Sequence, residues 1–224
     1  MPPINIDEMR TLARKWLPKT IFEFIDGGAQ DEISLRANRE DFERYGFRTR
    51  VLTDVSQRNQ STTILGEKSA SPLILAPTGL TGILHRRGEL SASRAAHAAG
   101  VPYCLSTMAT CSIEQIAEAS NVTRWFQLYV LRDRGLTKTS IDRAEVILHG
   151  GIRRDSDVIK ALCLGARACM IGRAWLYGLA SGGEAGVARS LDILTKEIDL
   201  ALALLGRSRL DELHPEILKI AVQK

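Results

Sequence analysis

Along the first part of the chain apolar residues recur at helical spacing, and from residue 71 onward they gather into short continuous runs. Met9, Leu12, Ala13 and Trp16 fall on one helical face. Asn5 stands before them as a cap, and Glu8 three residues later completes a capping-box-like start. Pro18 suits the first turn of a second helix, which Gly27-Gly28 ends. The pattern predicts a third helix from Asp31 to about Phe42. Residues 44–68 hold turn formers and short β-prone pieces such as Thr62-Thr63-Ile64-Leu65.

After Ser71 strand-like and helix-like segments alternate. Pro72 to Leu75 leads into the loop Ala76-Pro77-Thr78-Gly79. Gly88 to His97 reads as a helix whose alanines allow close packing on a sheet. Val101 to Thr107 is the next strand, and Ser112 caps a helix from Ile113 to Ala119. Trp125 to Val130 is a third strand, and Val146 to His149 and Ala168 to Ile171 are two more. Ser156 to Leu164 reads as the helix between these last two, stopped by Gly165. A long amphipathic helix is expected from Glu184, with Val187, Leu191, Leu194, Ile198, Leu202 and Leu205 on one face and Gly206 as its stop. Near-continuous apolar strands alternating with helices predict a parallel sheet covered on both faces. A closed barrel of this kind needs eight strands and typically about 250 residues. About five strands are present, so the sheet is open or a barrel has lost strands.

Two turns stand out. Gly150-Gly151-Ile152-Arg153-Arg154 and Gly172-Arg173 each follow a strand and open toward the same end of the sheet. Glycine lets backbone N–H groups approach an anion, helix N-termini favour negative charge, and arginine offers a fork of donors. Together they read as a grip for a phosphorylated ligand, against the plainer reading of two βα turns with solvated arginines.

Composition narrows the partners. The chain has 224 residues, 45% hydrophobic and 25% charged, with net charge +4. Basic residues are spread out and interleaved with acids, and aromatics are only 5%, so nucleic-acid binding is not expected. Cys104, Cys111, Cys163 and Cys169 show no paired spacing and read as reduced thiols. No apolar run is long enough to span a bilayer and the N-terminus lacks a signal-peptide pattern, which points to the cytoplasm.

The segments Phe22-Glu23-Phe24-Ile25-Asp26-Gly27-Gly28-Ala29, Leu75-Ala76-Pro77-Thr78-Gly79, Leu105-Ser106-Thr107 and Phe126-Gln127-Leu128-Tyr129, with the two Gly-Arg turns, resemble the FMN-dependent 2-hydroxy-acid dehydrogenase/oxidase family, and within it the bacterial L-lactate dehydrogenases. The resemblance implies an α/β fold of the (β/α)8 TIM-barrel kind with an N-terminal helical extension, here an incomplete barrel of about five strands. Residues 1–68 would form the extension and 69–224 the truncated FMN-binding barrel domain. It also implies oxidation of a small L-2-hydroxy acid, such as L-lactate, to a 2-oxo acid, with hydride passed to flavin N5. Ala76, Pro77 and Thr78 would run beside the flavin ring, and Ser106 and Gln127 would hydrogen-bond it. Gly150, Gly151 and Arg153, with Gly172 and Arg173 as a second arm, would hold the phosphate. Phe24 and Tyr129 would face the substrate. The resemblance further implies a homo-oligomer and, as for some bacterial relatives, peripheral association with the inner membrane.

The sequence also departs from that family. The block Ser-Asn-His-Gly-Gly-Arg-Gln, which carries the general-base histidine and the substrate-clamping arginine, has no counterpart. Neither has the lysine strand near flavin N1, nor the Thr-Val-Asp strand. Family strands 4, 5 and 6 are missing as one block, with the join between Lys138 and Ile141. Phe24 stands where the family usually has tyrosine, and His149 where it usually has aspartate. Strands 3 and 7 must then pair as new neighbours or leave open edges, and the stretch between Val130 and Val146 is just long enough for a crossover. His85, His97 and His214 read as bland positions, and His149 as an added phosphate donor. A positioned general base contributes about 10²–10⁴ in rate, so the expectation is an impaired or inactive family member with no catalytic residue retained. The alternatives are a non-catalytic flavin- or phosphate-binding module and an unstable gene remnant. A different phosphate-binding barrel, such as an IMP-dehydrogenase-like protein, leaves the Phe24 segment and the Gln127-Leu128-Tyr129 run unexplained.

Overall fold

The computed structural model describes residues 2–121, 123–127 and 147–220. Helix α1 (Ile6–Trp16) starts at Asn5, whose side chain accepts from the Glu8 N–H at 2.7 Å. The stripe of Ile6, Met9 and Ala13 is buried. Helix α2 (Lys19–Asp26) follows Pro18 and stops at Gly27. Helix α3 (Ile33–Glu43) begins two residues later than the pattern predicts, because Glu32 adopts a left-handed conformation ahead of it. Strand β1 (Tyr45–Phe47) follows. The hairpin of β2 (Thr62–Ile64) and β3 (Glu67–Ser69) turns through Leu65 and Gly66, both at positive φ, as a two-residue turn of this hand requires.

The alternating region forms one five-stranded parallel sheet. Its strands are β4 (Leu73–Leu75), β5 (Tyr103–Ser106), β6 (Arg124–Gln127), β7 (Ile147–His149) and β8 (Ala168–Ile171). They lie in the order β6-β5-β4-β8-β7. Helices α4 (Gly88–Ala99), α5 (Ile113–Ala119), α6 (Asp155–Cys163) and α7 (Arg173–Leu204) complete the alternation. A short strand β9 (Leu218–Ile220) pairs antiparallel with β1.

Side chains alternate across the sheet. Leu73, Leu75, Tyr103, Leu105, Cys169 and Ile171 join the main core with the helices. On the opposite face Ile74 and Ala168 meet Ile64 of the hairpin, with Trp125, Ile147 and Met170 partly covered. Helices α1, α4 and α6 all pack against α7.

The structure adds to two sequence expectations. The helix expected from Glu184 is the second piece of α7, and a first piece from Arg173 precedes it across a break at Gly182 and Gly183. Its first piece is apolar nearly all round, with Trp175, Leu176, Tyr177 and Leu179 buried, so it carries no one-sided stripe to read. Of the two outcomes open to strands 3 and 7, the structure takes the second: β6 and β7 end opposite sides of the sheet, and neither has an outer partner among the described residues. The result is an incomplete barrel. The join between Lys138 and Ile141 lies outside the described residues, as do Leu128, Tyr129 and Val130.

Candidate flavin-binding face

Because all five strands run parallel, their C-terminal ends share one end of the sheet. Leu75 pairs with Ile171, Ser106 with Gln127 and His149 with Met170. Ala76-Pro77-Thr78, Ser106, Gln127, Gly150-Gly151 and Gly172-Arg173 therefore gather there.

On one side a cavity of about 400 Å³ is lined by Phe24, Pro77, Gly79, Leu80, Ser106, Met108 and Gln127. Four of these are residues the sequence singles out. Gln127 is held by its neighbours: its side-chain oxygen accepts from Ser106 Oγ at 3.3 Å and from the Thr107 N–H at 3.4 Å. Ser106 Oγ in turn accepts from the Met108 N–H at 3.1 Å. Gly79 is needed here, since a Cβ would stand 2.7 Å from that of Met108. Phe24, on α2, is 61% exposed at the cavity wall. Thr78 Oγ1 is buried with no hydrogen-bond partner among the described residues.

The opposite side is basic. Gly150 and Gly151 both take positive φ, and a Cβ on Gly151 would collide with the Asn38 carbonyl of α3. The N–H groups of Arg153 and Arg154 donate to Asp157 Oδ2 at 2.8 and 3.0 Å, which orders the start of α6. Arg153 is only 7% exposed, and among the described residues its side chain donates from Nη1 to the neighbouring Ile152 carbonyl at 2.8 Å. Burial, together with the like charges of Arg173 and Arg39, lowers its pKa. Arg173 donates from Nε to the Ile25 carbonyl at 2.8 Å and from Nη2 to the Gly27 carbonyl, so it caps the end of α2. His149 lies beside Gly172, with Nε2 3.4 Å from where a Cβ there would sit, and the same Cβ would lie 4.0 Å from that of Ala76. Burial, then Arg173 and Arg153, lowers the His149 pKa and favours the neutral ring.

The arrangement fits a flavin phosphate. A buried guanidinium among like charges favours an anion, and the Ser106–Gln127 pair offers polar groups along the cavity. Tyr129 lies outside the described residues. Arg39 and Tyr177 approach Arg153 without any local motif to announce them, since both come from helices distant in sequence. A larger cavity, about 760 Å³, opens at the other end of the sheet among Asn59, Thr62, Gly165, Arg167 and Arg209. It lies on the side where β8 begins, away from these groups.

A family model for FMN-dependent dehydrogenases matches residues 13–146 and 142–220. An L-lactate oxidase from Nostoc sp. is 28% identical over 359 aligned positions, covering 97% of this chain and 98% of that protein. That alignment is longer than the 224-residue chain, so more than a third of it faces no residue here. An L-lactate dehydrogenase from Caulobacter vibrioides is 48% identical over 137 residues, which are 61% of this chain but only 36% of the dehydrogenase. Among solved structures, a soluble mutant of the membrane-associated (S)-mandelate dehydrogenase from Pseudomonas putida superposes with a TM-score of 0.90 at 26% identity, covering 97% of this chain and 99% of that one. A mutant flavocytochrome b2 with pyruvate bound gives 0.91 at 24% identity, covering 98% and 87%, a likeness of fold.

Proposed function

The chain belongs to the FMN-dependent dehydrogenase family, and from that membership we propose that it holds FMN on the C-terminal face of its half-barrel but turns over hydroxy acid poorly or not at all. The observation that carries the first half is Arg153, a buried cation with no carboxylate bonded to its side chain among the described residues, at the turn where the phosphate belongs. Arg153 and the Gly150-Gly151 backbone hold the phosphate. Gly172 leaves room beside it, Arg173 adds charge, and His149 adds a donor. Ala76, Pro77 and Thr78 border the ring, while Ser106 and Gln127 hydrogen-bond it.

FMN, when bound, supplies the redox chemistry by accepting a hydride equivalent. The residues of this chain bind and orient it. The second half of the proposal rests on the missing block. Of the four histidines, His149 stands at this face, and its place beside Gly172 suits phosphate contact better than proton abstraction. Phe24 has no hydroxyl to offer a substrate carboxylate. The substrate class is a small 2-hydroxy acid such as L-lactate, with Phe24 on its side of the ring. Self-association and peripheral membrane contact belong to the same proposal; no helix among the described residues is long and apolar enough to cross a membrane.

Purification tests both halves. A yellow protein with flavin absorbance is expected; a colourless, well-folded chain that also fails to take up added FMN refutes the binding claim. Anaerobic L-lactate is expected to leave the bound flavin oxidised for minutes. Rapid bleaching would refute the loss of turnover.

A further inference from the structure

Arg153 and Arg173 reach the phosphate turns from different strands, yet both lead to the end of α2, Arg173 directly and Arg153 by way of Tyr177. Arg173 bonds the carbonyls of Ile25 and Gly27, which flank Asp26. Arg153 lies over the ring of Tyr177, 6.0 Å from its centre. Tyr177 is 2% exposed and its hydroxyl donates to Asp26 Oδ1 at 2.7 Å. Asp26 also takes both Nε and Nη2 of Arg10 from α1, each at 2.6 Å. One carboxylate thus ties α1, α2 and α7 together beneath the two arginines.

Resting on the FMN reading above, we infer that Tyr177 and Asp26 are positioning residues for the phosphate grip. Neither touches the phosphate. Tyr177 gives Arg153 a flat surface to lie on, and Asp26 fixes the ring by accepting its hydroxyl. Among the described residues this leaves most of the Arg153 donors uncommitted to protein carboxylates, so they can serve the ligand. Asp26 also sets a negative charge near Arg173, which offsets the repulsion between the two arginines. The ionised state of Asp26 suits the task. Burial alone would raise its pKa, but hydrogen bonds from Arg10 and Tyr177 hold it below the ordinary carboxylate range. A simple ion pair from Asp26 to Arg153 would have used up the grip; the tyrosine between them transmits position without neutralising the charge.

Comparing FMN with riboflavin, which lacks only the phosphate, isolates this role. The full-length chain is expected to bind FMN more tightly than riboflavin, read by quenching of flavin fluorescence. In Tyr177→Phe and in Asp26→Asn, both close in shape to the native residues, that preference should fall about tenfold, the scale of a hydrogen bond to a charged group. Riboflavin affinity should stay within about twofold in both, as expected where no ring contact changes. Equal loss for both flavins would mean that the pair only holds the fold, and would overturn the inference. An unchanged preference in both variants would overturn it alone, leaving the FMN reading intact. Failure of the parent chain to bind either flavin would overturn both together.

Discussion

Glu197 shows how a single half-buried group can set the pH response of the fold. It sits on α7, where its carboxylate accepts from the Asp155 N–H at 3.4 Å at the start of α6. Burial, followed by repulsion from Asp155 and Asp157, raises its pKa to about 7. A carboxyl whose folded pKa lies above its unfolded value binds its proton more tightly in the folded state. Its stabilisation is full below the unfolded pKa and is lost as pH rises through about 7. Glu197→Gln removes that loss. The variant should unfold at higher urea than the parent at pH 8, by about 1 kcal/mol once the group's partial exposure to solvent is allowed for. At pH 5 the two midpoints should nearly coincide.

At the scale of the element, α7 is where sequence and structure part. Gly182 and Gly183 break it, and the two pieces fold back into close contact. A Cβ on Gly178 would collide with the Gly186 carbonyl, and one on Gly186 with that of Gly178. Both glycines are required by backbone against backbone, which no rotamer change can relieve. Gly186→Ala should therefore cost about 1–3 kcal/mol, the range for overpacking a filled core. A drop in the urea midpoint without a change in the slope of the transition is the expected reading. Helix α6 is the contrary case. The sequence reads it as Ser156 to Leu164 and the structure gives Asp155–Cys163, one residue away at each end, because a glycine stop is local.

For the whole molecule the open sheet matters most. A parallel barrel closes only when strand number, tilt and shear agree, and among the described residues five strands leave β6 and β7 as edges. Phe126 on β6 is 45% exposed. Unpaired edges with exposed apolar side chains favour strand-to-strand association. Light scattering is expected to rise with protein concentration, and Phe126→Lys to reduce that rise while leaving the far-ultraviolet circular dichroism unchanged. Equal scattering by both proteins would show that this edge is not the contact.

The sequence alone determined the alternation of strands and helices, the turns at Gly150-Gly151 and Gly172-Arg173, and the gathering of the candidate ligand groups at one end of a parallel sheet. These follow from local periodicity, caps and glycine stops, and from the rule that parallel strands present all their C-terminal ends together. Tertiary structure decided what those groups touch. Arg173 reaches carbonyls near residue 26, Arg153 rests on Tyr177, and Asn38 closes over Gly151. Each contact joins residues far apart in the chain, so no spacing foretells it. The open edges were likewise settled only in three dimensions, since a sequence that lacks strands does not say whether those remaining will meet.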